Sequence, residues 1–148
     1  MAARPLLADS VKFIAIHCSA TPPTQDIGAK DIDRMHRLRG FRCIGYHYVI
    51  RRDGTVETGR PLTEPGAHVE NWNHCSWGIC LVGGVDSKLK PEANFTPAQL
   101  ATLSNLVSEL LRRAPHATVQ GHRDFPNVAK ACPSFDVAHW LRTDQIKP

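Results

Sequence analysis

Three residues could together bind a transition metal: two histidines that lie where strands are expected to end, and one cysteine in the loop that follows the second histidine. His17 lies near the end of the β-rich segment VKFIAIHC, His122 follows the short segment ATVQG, and Cys132 lies in the loop segment AKACPS. Two imidazoles and a thiolate suit a tetrahedral zinc whose fourth position is open to water, which is the arrangement of catalytic zinc sites. The three positions form no linear motif, so a zinc site requires that the two strands lie side by side.

A plainer interpretation competes with the zinc site. A lone histidine at the end of a strand is more often hydrogen-bonded at the edge of a core than bound to a metal. A cysteine often serves as a small buried apolar residue, and spacing alone favours this plainer interpretation. Successive side chains of a strand point to opposite faces, so Cys18 points away from His17 and is a poor candidate for a further ligand.

Other polar side chains near these positions could take part in catalysis. Lys130 precedes Cys132 by two residues, where its ammonium could stabilise an oxyanion on a metal-polarised carbonyl; otherwise it is a solvated loop lysine. Tyr46 lies in the segment GYHY, and its phenol could hydrogen-bond a metal-held water or could pack with its hydroxyl in solvent. His68 lies in the aromatic, amide-rich loop PGAHVENWNH, which could form the rim of a substrate groove or an ordinary surface loop.

The pattern of the chain predicts an α/β fold, a mixed central β-sheet flanked by helices in a single domain. Strands are expected at 11–18, 46–51, 55–60, 76–82 and 117–121, and helices at 29–39, 96–113 and 134–142. Asp53-Gly54 predicts a type I′ hairpin turn, and the segment TPAQ predicts a capping box at the start of the longest helix. We expect residues 1–10 to form a loose N-terminal tail and residues 11–148 to form the domain.

Composition excludes several classes of protein. The 148 residues correspond to one domain, and no run approaches the roughly 18–20 apolar residues of a membrane span. The net charge of +4 comes from scattered basic residues, which argues against direct nucleic-acid contact and is compatible with an anionic substrate. Five cysteines cannot all pair, which favours synthesis in a reducing compartment. The N-terminus has no signal-peptide apolar stretch.

Five separated blocks, in this order, carry a resemblance to a known family: FIAIHCSAT, GYHYVIRRDGTVETGRP, GICLVGG, NFTPAQL and AKACPSFD. They resemble the zinc-dependent N-acetylmuramoyl-L-alanine amidases of the amidase-2 family, and its phage endolysin branch in particular. The similarity runs from about residue 11 to residue 142. It implies the fold that the family shares with peptidoglycan-recognition proteins, and one zinc ion per chain in a surface groove.

The resemblance also implies roles for individual residues. His17, His122 and Cys132 would be the zinc ligands, Tyr46 and Lys130 the catalytic pair, and His68 a groove residue that contacts substrate. The substrate would be bacterial peptidoglycan, cut at the amide between N-acetylmuramate and L-alanine, with lysis of the host cell as the result.

The expected setting follows from the same resemblance. The protein would be a monomer made in the host bacterial cytoplasm, and it would act on periplasmic peptidoglycan after the inner membrane is breached. An RNA polymerase partner is implied by the resemblance only, with no independent sign in the sequence. Two alternatives stay open at this point: a peptidoglycan-binding module without catalysis, and a cysteine hydrolase that uses Cys132 with a histidine.

Overall fold

The computed structural model describes residues 4–148, and it contains five strands and three α-helices within them. The strands are β1 (Phe13–Cys18), β2 (Tyr48–Ile50), β3 (Val56–Thr58), β4 (Ser76–Leu81) and β5 (Thr118–Gly121). The helices are α1 (Ala29–Leu38), α2 (Pro97–Arg113) and α3 (Val137–Thr143). All five strands lie in one sheet in the order β3-β2-β4-β1-β5, with only the β2–β3 pair antiparallel. The predicted mixed sheet is therefore confirmed.

The register of the parallel strands brings two predicted site residues together. Ile16 of β1 lies opposite Gly121 of β5. The next residues along the two strands are His17 and His122, which therefore lie side by side at the same edge of the sheet. His17 also lies opposite Cys80 of β4. Because the carboxyl ends of parallel strands meet at one edge, this edge becomes the place where side chains from distant parts of the chain can converge.

The two faces of the sheet have different coverings. Ile14 and Ile16 face the larger core, which also contains buried apolar side chains of α2 and α3: Leu103, Val107, Leu110, Val137 and Trp140. On the opposite face, Ala15 packs with Val69 and Phe125, and Ile32 of α1 packs in a separate small cluster. Helices thus flank both faces, and the alternation predicted for β1 holds, with His17 on the face opposite the larger core.

Helix α2 begins as its sequence predicts. The Thr96 hydroxyl accepts a hydrogen bond from the Gln99 backbone N–H at 3.1 Å, and the Gln99 side chain accepts one from the Thr96 N–H at 3.0 Å. The buried Gln99 amide also donates to the Val82 carbonyl at 2.8 Å, which ties the helix to the end of β4. Among the described residues, no helix has both the length and the apolar composition that crossing a bilayer requires.

Two local predictions are wrong. The β2–β3 turn is not type I′, because only Gly54 has a positive φ (89°), and the Gly54 N–H donates to the Arg51 carbonyl. This is a type I turn followed by a left-handed glycine, the usual three-residue hairpin loop. Helix α3 starts at Val137 rather than residue 134, since Ser134 has a left-handed φ of 74° and Asp136 is the N-cap.

The prediction of a loose tail is wrong for its second half. Leu6 is buried in the larger core, and its N–H donates to the Thr63 carbonyl at 2.7 Å. A 3-10 turn over Ala8–Ser10 then leads into β1. Burial of one leucine side chain contributes about 1.5–3 kcal/mol toward holding this segment against the domain. Residues 1–3 of the predicted tail lie outside the described residues.

Candidate metal centre

The structure brings together the three residues predicted as metal ligands. One donor atom from each of His17, His122 and Cys132 lies within 4.8 Å of the other two. The Cys132 sulfur is 3.9 Å from His17 Nδ1, and the imidazole centroids of His17 and His122 are 4.6 Å apart. Zinc bonds of about 2.0–2.3 Å in tetrahedral geometry would place such donors roughly 3.3–3.7 Å apart. The donor types therefore fit a zinc ion, and the Cys132 sulfur and His17 Nδ1 would need to approach by a few tenths of an ångström to reach that geometry.

The segment that carries Cys132 is held in place by the chain's own hydrogen bonds. The Arg123 N–H donates to the Cys132 carbonyl at 2.9 Å, which closes the loop between His122 and Cys132. The Cys18 N–H donates to the Cys132 sulfur at 3.2 Å, and the Ser134 hydroxyl donates to the Gly84 carbonyl at 2.7 Å. Cys18 thus helps the centre through its backbone, and its thiol is outside the group of three donors.

Burial keeps both imidazoles neutral near pH 7. It is the largest cause that lowers the pKa of His17 well below its usual value, and it lowers the pKa of His122 to about 4, with a further contribution from Lys130. A hydrogen bond with the Cys18 thiol, followed by burial, raises the pKa of the Cys132 thiol. Metals bind neutral imidazole and thiolate. The two histidines are therefore ready to coordinate, and metal binding would release a proton from Cys132.

Tyr46 lies beside the three donors, as its predicted role requires. Its ring centroid is 5.0 Å from that of His17. Burial raises the pKa of Tyr46 well above its usual value, so the phenol stays protonated and can donate a hydrogen bond. His36 accepts a hydrogen bond from the Gly45 N–H at 2.8 Å, and its ring centroid lies 5.2 Å from that of Tyr46 in a tilted arrangement. It therefore fixes the backbone that carries the phenol.

Lys130 lies at the rim of the centre. Its side chain is exposed, yet its ammonium lies close enough to help lower the pKa of both His17 and His122, after burial as the main cause. The same proximity would let the ammonium attract a negative charge that develops near the donors. The predicted pairing of Lys130 with Tyr46 in catalysis stays a prediction.

His68 has a different position from the one its predicted role requires. Its side chain is only 9% exposed, and its Nδ1 lies 2.8 Å from His17 Nε2. It therefore lies behind a predicted ligand rather than along an open groove, and this placement gives no support to a direct contact with substrate.

Sequence reasoning missed Ser76, whose hydroxyl lies 3.3 Å from His68 Nε2. A signal was present in the sequence, because Ser76 is the one hydroxyl side chain in a strand, SWGICL, that is otherwise mainly apolar. Its register opposite Phe13 puts it on the same face of the sheet as His17. A polar residue in such a buried strand is expected to have a specific partner.

Comparison with known proteins relates this chain to enzymes that cleave bacterial cell walls. A family model described as N-acetylmuramoyl-L-alanine amidase matches residues 7–135. An endolysin of Klebsiella phage KP32 is 47% identical over 133 residues, covering 90% of this chain and 87% of that protein. The endolysin of Escherichia phage T7 is 44% identical over 138 residues, covering 93% and 90%. Among solved structures, the N-acetylmuramoyl-L-alanine amidase LysC from Clostridium intestinale is similar with a TM-score of 0.74 at 28% identity, covering 89% of this chain and 82% of that one.

Proposed function

Because this chain belongs to the N-acetylmuramoyl-L-alanine amidase family, we propose that it hydrolyses peptidoglycan with a zinc ion held by His17, His122 and Cys132. The chain is an amidase of the phage endolysin type, and the bond cut is the amide between N-acetylmuramate and L-alanine. The observation that carries the zinc proposal is the convergence of two neutral imidazoles and one thiol within 4.8 Å. One zinc per chain is expected.

The proposal gives roles to the residues that surround the three donors. When bound, zinc supplies a Lewis acid and lowers the pKa of a water from 15.7 to about 7. Tyr46 keeps its proton and donates a hydrogen bond that orients the attacking water. In this proposal the Lys130 ammonium stabilises the negative charge that develops on the carbonyl oxygen as the amide carbon becomes tetrahedral. His17 and His122 stay neutral throughout, since burial opposes their protonation.

The setting of the reaction is proposed from the relatives named endolysin. The protein is made in the cytoplasm of an infected bacterium and acts on peptidoglycan after the inner membrane is breached. Peptidoglycan is thus its principal partner. A regulatory RNA polymerase partner and a monomeric state stay predictions from resemblance.

Zinc removal tests this proposal. The purified chain should contain close to one zinc per molecule, and exhaustive chelation should abolish clearing of purified peptidoglycan, because the remaining residues include no group that can activate water as strongly. Addition of zinc to the chelated protein should restore clearing. Wall cleavage that persists in protein shown to be free of metal would exclude the zinc mechanism.

A Tyr46→Phe variant should lose about 10- to 100-fold of its turnover, the usual effect of removing a hydrogen-bonding partner next to a metal centre. The ring remains, so its packing against His17 and His36 is preserved and zinc content should not change. Tyr48→Phe, on the same segment, serves as the control. Turnover and zinc content measured together check this result, and equal turnover in the two variants would remove Tyr46 from the mechanism.

A further inference from the structure

A chain of buried hydrogen bonds leads away from the metal centre. His17 Nε2 lies 2.8 Å from His68 Nδ1, and His68 Nε2 lies 3.3 Å from the Ser76 hydroxyl. The Ser76 hydroxyl in turn lies 2.8 Å from the Trp72 carbonyl oxygen. His17, His68 and Ser76 are all buried, with Ser76 fully so. Water therefore does not compete for these bonds, and their directions are set within the protein.

The directions follow from the fixed end of the chain. The Trp72 carbonyl can only accept, so the Ser76 hydroxyl donates its single proton there and accepts from His68 Nε2. A neutral His68 has one N–H, so its Nδ1 is a bare acceptor and takes a hydrogen bond from the Nε2–H of His17. A neutral His17 then has its lone pair on Nδ1. That atom is the one that lies 3.9 Å from the Cys132 sulfur.

We propose that His68 and Ser76 are positioning residues that hold the proton of His17 on Nε2 and turn its Nδ1 lone pair toward the other two donors. This inference rests on the proposed function in one respect only: the proposed function identifies a metal ion as the partner that the Nδ1 lone pair binds. Outer partners of this kind commonly fix the tautomer and orientation of metal-binding histidines, and losing one typically lowers metal affinity about 10- to 100-fold.

The packing around His68 supports a specific position for its ring. A Cβ atom at Gly78 would lie 2.7 Å from His68 Nδ1, and one at Gly66 would lie 2.6 Å from its Cδ2. The ring therefore occupies space that two glycines leave open. The backbone N–H groups of His68 and Val69 both donate to the Asn73 side chain, at 2.8 and 2.9 Å, which fixes the loop that carries the ring. The loop backbone is therefore held in place, and the ring that it carries lies directly against the backbone of Gly78 in β4.

The first test reads the tautomer directly. In the full chain labelled with ¹⁵N-histidine and freed of zinc, long-range nitrogen–proton NMR correlations should show His17 and His68 with the proton on Nε2. In Ser76→Ala the population of the Nε2–H tautomer should fall at both rings, since the Ser76 hydroxyl no longer accepts from His68 Nε2–H. Thr102→Val is the matched control, because it removes a hydroxyl bond to the Gly54 carbonyl on another part of the molecule.

The second test reads zinc affinity by competition with a chelator of known affinity. His68→Leu and Ser76→Ala should bind zinc about 10- to 100-fold more weakly than the wild type. His68→Asn should recover most of the loss, because its side-chain oxygen can accept near the position of Nδ1. Gly78→Ala should weaken binding without removing any polar group, since the new methyl displaces the ring. Thr102→Val should be unchanged.

The outcomes separate this inference from the proposed function. A wild-type His17 with its proton on Nδ1, or zinc affinity in His68→Leu and Gly78→Ala equal to that of Thr102→Val, would overturn the positioning role. A wild-type chain that binds no zinc would overturn the metal proposal, while the tautomer measurement would still decide the role of His68 and Ser76. If His68→Leu fails to fold, Gly78→Ala and Ser76→Ala still decide it.

Discussion

Cys132→Ser should give a folded protein that has lost its zinc and more than about a thousandfold of its activity on peptidoglycan. A serine hydroxyl does not ionise at neutral pH and is not among the usual zinc ligands. Loss of a single oxyanion donor already lowers turnover about 10²- to 10³-fold, and here the activated water is lost as well. The fold should survive, since the Arg123 N–H bond to the Cys132 carbonyl involves only the backbone.

Cys43→Ser is the matched control for this substitution. Cys43 is a partly exposed free cysteine outside the three-donor group, so its replacement should leave zinc content and wall clearing at wild-type values. Zinc per chain, circular dichroism and the rate of clearing should be measured on both variants. Cys132→Ser that retains zinc and full clearing would remove Cys132 from the centre.

Substitutions at Cys132 also distinguish a zinc ligand from a cysteine nucleophile. Cysteine hydrolases depend on a thiolate that attacks the substrate, whereas a zinc ligand only has to donate an electron pair to the metal. Aspartate is a zinc ligand but cannot replace a catalytic thiolate. Cys132→Asp should therefore regain zinc and part of the activity that Cys132→Ser loses. Full loss in both variants, together with inactivation by iodoacetamide and none by chelation, would favour the cysteine mechanism.

The sequence predicts the regular parts of this molecule well because their signals are local. The capping residues of α2 and the alternation of β1 each depend on neighbours within a few positions. Once β1 and β5 are taken as parallel neighbours, the meeting of His17 and His122 follows from the register alone. The residue types at the strand ends then specify the chemistry of the centre.

Other features could not be read from local pattern because they depend on contacts between distant segments. His68 and His17 are 51 residues apart, and the burial of His68 depends on the space above Gly78. Leu6 belongs to no helix-like or strand-like hydrophobic pattern, so its burial is explained only by contact with the larger core. The sequence alone likewise does not distinguish Lys130 from an ordinary surface lysine, because its proximity to His17 and His122 depends on the tertiary position of its loop.

Lys130→Met should lower turnover about 10²- to 10³-fold, equivalent to roughly 2.7–4 kcal/mol of transition-state stabilisation. In its proposed role the ammonium acts on charge that appears only as the amide carbon becomes tetrahedral, so kcat and kcat/KM should fall together while KM changes little. The side chain is exposed and methionine preserves much of its apolar stem, so the fold should be unaffected. Zinc content should stay at the wild-type value, in contrast to Cys132→Ser.

Lys88→Met is the control, because Lys88 is an exposed loop lysine outside the site and its loss changes the net charge by the same amount. Steady-state rates on a soluble muropeptide, rather than on whole walls, separate turnover from attraction to an anionic polymer. If Lys130→Met raised KM with kcat unchanged, the ammonium would bind substrate and transition state equally. If the two variants lost the same small factor at low salt and nothing at high salt, Lys130 would act only through the overall positive charge of the protein.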